Sequence, residues 1–280
     1  MTWPFLASYD GHLQELGDRK LGEMHQPSRR SLPDDERIQE QLRGFWDEDA
    51  TTYDRSPTHA ATDPVEAAAW RALLRRLLPP PPASVLDAGA GTGAMSLLLA
   101  ELGYDVTALD ISAAMLSRAR EKADARGLSV KTVQRPATDP PPGPFDAVVE
   151  RHLLWTTPDP TSALAAWHRV APAGRLVVFE GIWRRDGAAA RAREWASGIL
   201  RNVLAIPHDH HGAYDPEVLA SLPLAGARTP RPLIQAVHDA GWRGIRIERL
   251  RDVEWARRIA VPFPLGWVEA RPQFAVVADA

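Results

Sequence analysis

The chain contains no cysteine, which excludes disulfides, a thiolate nucleophile and thiolate metal sites. It has no apolar run approaching the length of a membrane span. Its first ten residues, Met-Thr-Trp-Pro-Phe-Leu-Ala-Ser-Tyr-Asp, lack the basic stretch that opens a secretory leader. Charge of one sign is missing too: 33 basic against 36 acidic residues give a formal net charge of −3, no footprint for nucleic acid. These absences lead to the expectation of a cytoplasmic protein without nucleic-acid or membrane partners. What is present is 280 residues of 45% hydrophobic content, enough to bury one sizeable core plus an accessory segment.

Residues 85–93 read Val-Leu-Asp-Ala-Gly-Ala-Gly-Thr-Gly. An apolar strand ends in Asp87, turns through Gly89, Gly91 and Gly93, and enters a helical stretch. A second apolar run, Ala108-Leu109-Asp110, closes on an acid seventeen positions after Gly93. Together they outline a nucleoside-binding α/β site. The glycines leave bare backbone for a ligand to lie against, and Asp110 stands where a carboxylate accepts both hydrogen bonds of a ribose diol. Gly89-x-Gly91-x-x-Ala94 also satisfies the dinucleotide fingerprint. Asp87 separates the two readings, because an acid on the incoming strand would repel a pyrophosphate at the helix N-terminus. The cationic sulfonium and ammonium of S-adenosylmethionine (SAM) would welcome it.

With these residues the sequence resembles the class I SAM-dependent methyltransferases, and the resemblance continues through residues 109–120. It covers roughly residues 40–183 and 230–280. It implies a doubly wound α/β fold: a mainly parallel seven-stranded sheet with a C-terminal antiparallel strand pair. The chain divides into a polar arm and helical lid over 1–62 and a SAM domain over 63–280. Within the latter, a helical substrate-cap insert after strand five spans about 184–229.

Hydrophobic periodicity places strands at 84–88, 105–109, 130–133, 145–149 and 175–180, with apolar runs at 244–250 and 273–278. It places helices near 64–78, 94–102, 112–126, 160–170, 187–205 and 230–241, and Ile38, Leu42, Phe45 and Trp46 recur at helical spacing before them. Four prolines, 79–82, stop the second of the helices that precede the first strand.

Carried over by position, the resemblance implies Asp87, Gly89 and Gly91 along the methionine part of SAM. It implies Asp110 on the ribose, with Ile111 and Met115 against the adenine. Glu150 and Arg151, at the end of strand four, fall near the methionine moiety. Where the family often carries an acid for the adenine amino group, this chain has Arg135-Pro136-Ala137-Thr138-Asp139 with Pro136 in the acid's place, so either Asp139 substitutes from a shifted loop or backbone groups and packing at Ala137 hold the adenine. Tyr53 resembles the family's lid aromatic, and Arg55 offers planar donors to the SAM carboxylate. A general base is required only if the acceptor arrives protonated. Candidates for that role are His152, Glu180 and His208. Trp46, Trp155, Trp183 and His211 are candidate walls of the acceptor pocket. No metal is assigned, although the His208-Asp209-His210-His211 run is a conceivable ligand set. The expected activity is methyl transfer from SAM to a small molecule, a secondary metabolite, by a monomer or homodimer. The alternatives are a carbon methyltransferase that holds an anionic substrate through a divalent ion, and a non-catalytic SAM-binding partner protein.

Overall fold

The structure is a computed structural model that describes residues 32–56, 59–182, 187–206 and 214–280. Seven strands form one sheet in the order β3-β2-β1-β4-β5-β7-β6. They are β1 (Ser84–Ala88), β2 (Asp105–Asp110), β3 (Lys131–Gln134), β4 (Ala147–Arg151), β5 (Arg175–Gly181), β6 (Arg243–Arg249) and β7 (Gln273–Asp279). The first five run parallel, and β7 is antiparallel to both β5 and β6. The architecture expected from the sequence is therefore present, C-terminal antiparallel pair included.

The elements follow from local chemistry. Helix α2 (Pro64–Leu77) starts where Asp63 accepts from the amides of Val65 and Glu66 with Pro64 in the first turn, and α5 (Pro160–Val170) starts the same way on Asp159. Helix α3 (Ala94–Glu101) is apolar almost all round, and its first six residues are buried. Strands β1, β4, β5 and β7 are buried along nearly their whole length, as sheet centres must be. The edge strand β6 is polar and largely exposed.

One face of the sheet packs Val85, Val149 and Phe179 against Trp70, Leu74 and Leu99. The other packs Leu86, Val148 and Val178 against Leu164 and Trp167 of α5 and Val237 of α8 (Arg231–Asp239). Helix α1 (Leu32–Asp49) belongs to neither layer. Its Ile38 and Leu42 join Tyr214 and Val218 of the region around α7 (Pro216–Ala220) in a small separate cluster.

Three boundaries differ from the sequence reading. Strand β4 begins at Ala147, because Phe145 and Asp146 already spend their amides on Val170 and Ser84. Two helices, α9 (Arg251–Ala260) and α10 (Leu265–Glu269), stand between β6 and β7, where the sequence reading left a connection. The insert after β5 is not one cap: α6 (Ala188–Val203) packs on α10 through Ser197 and Arg201, which both reach Glu269, whereas residues 220–224 turn to the cavity described below.

Candidate active site

Strand order reverses between β1 and β4, and open α/β sheets form their ligand crevice at that switch point. Gly89 and Arg151 stand there, just beyond or at the ends of those strands. The glycine loop is tied to the end of β2: the amides of Gly89 and Ala90 both donate to the Leu109 carbonyl, at 2.8 and 3.0 Å. Gly91 N–H donates to Asp110 Oδ2 at 2.8 Å and Ser112 N–H to Oδ1 at 2.9 Å. Each carboxylate oxygen keeps one lone pair for a ligand hydroxyl. Burial pushes the Asp110 carboxyl up to about 6, although the amides of Ser112 and Gly91 oppose the shift.

The three glycines play different parts. All have positive φ, but a Cβ at Gly89 would stand 2.7 Å from Leu153 Cβ and one at Gly93 2.9 Å from Ala119 Cβ. The close approach at Gly93 is thus helix packing against α4 (Ala113–Ala125), not ligand. At Gly91 the nearest atom is Tyr53 Cε1 at 4.0 Å, so the space above it is open. Gly93→Ala should therefore lower the melting temperature, whereas Gly91→Ala should cost roughly 1 kcal/mol of backbone strain and remove most affinity for any ligand that enters the open space beneath Tyr53. Paired melting curves and binding isotherms check this, and equal losses in both variants would contradict it.

A cavity of about 970 Å³ opens from this point. One end is walled by Trp46, Tyr53, Gly91, Asp110, Ile111 and Met115, and the loop 135–138 closes a side. Arg151, His152 and Leu153 line it too. It then runs between residues 156–161, the 220–224 segment and the Gln235 and Asp239 flank of α8. The Ala137 carbonyl is taken by Trp167 Nε1 at 2.8 Å, which pins that loop. Asp139 lies off the wall, exposed, 3.6 Å from Arg135.

Of the sequence candidates, Tyr53, Gly89, Gly91, Asp110, Ile111, Met115, Ala137 and Arg151 line the cavity, together with Trp46 and His152. Others do not. Asp87 is buried beneath the loop, where Ser96 Oγ donates to it at 2.5 Å and burial pushes its carboxyl up to about 6. Glu150 is fully buried and accepts from the amides of Leu153 and Leu154 through Oε1, which shapes the turn after β4; burial and neighbouring Glu180 hold its carboxyl well above the usual range. Arg55 is exposed, because the 3₁₀ turn Tyr53–Arg55 that aims Tyr53 inward sends it out. Trp155 packs against Tyr214 with ring centroids 6.2 Å apart. Glu180 is buried behind the cavity wall. Trp183, His208 and His211 lie outside the described residues.

Two arrangements stand out among the cavity residues. His152 adopts φ 65°, unusual for a residue with a side chain. Its Nδ1 stands 3.5 Å from Glu180 Oε2, and burial, aided by Arg151 and Arg257, holds the imidazole pKa well below its usual value. Arg151 donates to the His59 carbonyl through Nη2. Its guanidinium lies 5.7 Å from the centroid of Trp70, and Arg257 lies 5.9 Å from the same ring. Arg257 is paired with buried Glu66 at 2.8 Å. Arg151 Nη1, in contrast, is buried with no hydrogen-bond partner among the described residues.

The segment from α1 to the 3₁₀ turn Tyr53–Arg55 is latched to the glycine loop and to α4. Asp47 accepts from Ser112 Oγ at 2.6 Å and Ala114 N at 3.2 Å. Asp54 accepts from Thr92 Oγ1 at 2.6 Å and pairs with Lys122 at 2.8 Å. Tyr53 stacks on His59 at 4.2 Å. Residues 86–178 match a family described as a methyltransferase domain. This part of the chain is thus similar to a methyltransferase domain.

The chain is similar to a ubiquinone biosynthesis O-methyltransferase of Methylococcus capsulatus, 33% identical over 138 residues, covering 48% of this chain and 58% of the relative. It is also similar to a demethylmenaquinone methyltransferase of Thermus thermophilus, 41% identical over 104 residues, covering 35% and 47%. The chain spans about half the length of these curated relatives. Among solved structures, magnesium protoporphyrin IX methyltransferase from Synechocystis with bound S-adenosylhomocysteine aligns at TM-score 0.52 and 13% identity, covering 87% of this chain and 100% of that one. A Haemonchus contortus phosphoethanolamine N-methyltransferase aligns at 0.52 and 16%, covering 85% and 59%. At these identities the likeness is one of fold.

Proposed function

We propose that this protein transfers a methyl group from SAM to a hydroxyl of a small molecule. The observation that carries the reading is one continuous cavity lined by an open glycine, a carboxylate with spare lone pairs, a guanidinium whose Nη1 has no hydrogen-bond partner among the described residues, and His152. The residues present fit SAM: Asp110 has lone pairs for the ribose diol, Ile111 and Met115 offer apolar walls to the adenine, and Arg151 Nη1 awaits a carboxylate. Bound there, SAM supplies an electrophilic methyl on a cationic sulfur.

The chain's own residues do the rest. Tyr53 and Trp46 cover the glycine loop, so latching α1 excludes water and fixes the approach line of the acceptor. A neutral His152 accepts the proton of an acceptor hydroxyl, and Glu180 behind it stabilises the resulting imidazolium. A cavity of 970 Å³ is at the large end for small-ligand sites, which leaves room for an acceptor beside a nucleoside. The relatives named for ubiquinone and menaquinone steps favour a phenolic, ring-bearing acceptor over the secondary metabolite suggested by sequence. In this reading the protein acts without nucleic acid, as a cytoplasmic monomer or homodimer.

Calorimetry tests the cofactor half. Asp110→Ala should weaken S-adenosylhomocysteine by about 1–3 kcal/mol, since two ligand hydroxyls lose their acceptor. In the wild type, affinity should fall as pH drops through about 6, because the ligand selects the ionised carboxylate. The fall approaches about tenfold per unit below that point. Asp110→Asn should flatten the profile. A folded Asp110→Ala chain with unchanged affinity would remove the ribose from this position.

A further inference from the structure

Three helices that contribute nothing to the cavity, α6, α9 and α10, pack on one another through α10. They present large apolar side chains to solvent: Trp195 (71% exposed) and Val203 on α6, Trp255 and Ile259 on α9, Phe263 (79% exposed) in the α9–α10 link, and Trp267 on α10. Soluble proteins scatter such residues singly. Here six sit on touching elements, and Trp255 and Trp267 meet edge to face at 6.0 Å. The Arg258 guanidinium lies 5.1 Å from the Trp267 ring. Beside that ring is a second cavity of about 320 Å³, walled by Arg193, Arg249, Arg258, Trp267, Ala270 and Pro272.

The charge here is one-sided. Residues 187–206 and 249–272 hold eight arginines, no lysine and four acids, within a chain whose net charge is −3. Two of those acids are already committed, Glu254 to Arg249 at 2.9 Å and Glu269 to Arg201 at 2.5 Å. Arg193 makes no ion pair among the described residues, and Arg258, 3.9 Å from the Glu254 carboxylate it shares with Arg249, has a buried Nε with no hydrogen-bond partner among them. Arginine beside exposed tryptophan and phenylalanine suits the boundary between lipid headgroups and acyl chains, where rings sit at headgroup depth and guanidinium meets phosphate. Among the described residues no helix is long and apolar enough to cross a membrane, so such contact lies in the interface plane. A two-fold dimer through this face would instead set the same arginines against each other.

We propose that this face docks on a bilayer containing anionic phospholipid, with phosphodiester oxygens held at Arg193, Arg249 and Arg258 and with Trp195, Trp255 and Phe263 entering the headgroup layer. The inference goes beyond the methyltransferase reading and does not depend on it.

The test is flotation of the full chain with phosphatidylcholine vesicles that contain or lack phosphatidylglycerol, at low and high salt. Binding is expected only with phosphatidylglycerol, and weaker in high salt. Trp255→Ser/Phe263→Ser and Arg193→Glu should each reduce the bound fraction about tenfold or more. Both variants should keep wild-type melting and S-adenosylhomocysteine affinity, which separates failure here from failure of the cofactor site. No vesicle binding by the wild type overturns the proposal. So does a concentration-dependent dimer that Trp255→Ser/Phe263→Ser dissolves, since the occupant is then a second copy. Binding of soluble glycerol phosphate without vesicle binding overturns it as well and leaves a small-anion pocket.

Discussion

Replacing His152 by Gln should cut the turnover number for a hydroxyl acceptor by about 10²–10⁴ while leaving affinity for S-adenosylhomocysteine within about twofold. The expectation rests on position and charge state together. His152 lines the cavity next to Arg151, its backbone is held at φ 65°, and its Nδ1 faces Glu180 at 3.5 Å. Burial and two nearby guanidiniums keep the ring neutral at neutral pH, the state a base must start from. Because its pKa lies below the usual value, the acid limb of the wild-type rate profile should fall below about pH 6.5. Glu180→Gln should lower turnover without changing the cofactor isotherm, since that carboxylate meets the imidazole and not the cavity. Steady-state rates with a panel of phenols across pH measure both. Wild-type turnover in His152→Gln would leave catalysis to alignment and remove the base from the mechanism.

What the sequence made legible was whatever is encoded locally. The Asp87-to-Gly93 turn, Asp110 and the alternation of apolar runs are short-range patterns, and sheet order followed from them through the family resemblance. Buried acids were harder to read. Asp87 and Glu150 sit at the expected positions in the chain, but which way a carboxylate points depends on whether a local donor claims it. Ser96 claims the first, and the amides of Leu153 and Leu154 claim the second. Arg55 and Arg151 show the same limit from the other side. Both were candidates for the methionine end, and only a 3₁₀ turn that points Arg55 outward distinguishes them. The latch at Asp47, the packing of Arg151 on Trp70 and the contribution of Gln235 and Asp239 to the cavity join residues 65 to more than 80 positions apart. No sequence window contains such contacts. Helices α9 and α10 were missed because charged residues interrupt their apolar positions, five of the ten residues of α9 being Arg, Asp or Glu.

The largest effect on cofactor binding should come from Arg151. Its Nη2 is spent on the His59 carbonyl, its guanidinium lies over Trp70, and Nη1 remains buried without a hydrogen-bond partner among the described residues, in the wall of the cavity that Gly91 and Tyr53 also line. A buried guanidinium with one unmet donor is costly, and a carboxylate arriving at that nitrogen would restore the missing hydrogen bond and offset the charge at once. Arg257 cannot take over, because Glu66 already neutralises it beside the same indole. Arg151→Met should therefore weaken S-adenosylhomocysteine by about 2–5 kcal/mol, the range for truncating one partner of a buried charge pair. Methylthioadenosine, which carries the nucleoside but no carboxylate, separates this from general damage to the pocket. It should bind wild type and Arg151→Met with nearly equal affinity, so that the loss appears only with the amino-acid tail. Arg151→Lys keeps the charge but loses the planar donor pair, and should recover only part of the affinity. Equal weakening of both ligands in Arg151→Met would mean that Arg151 supports the fold around His59 and Trp70, and that the carboxylate is held elsewhere.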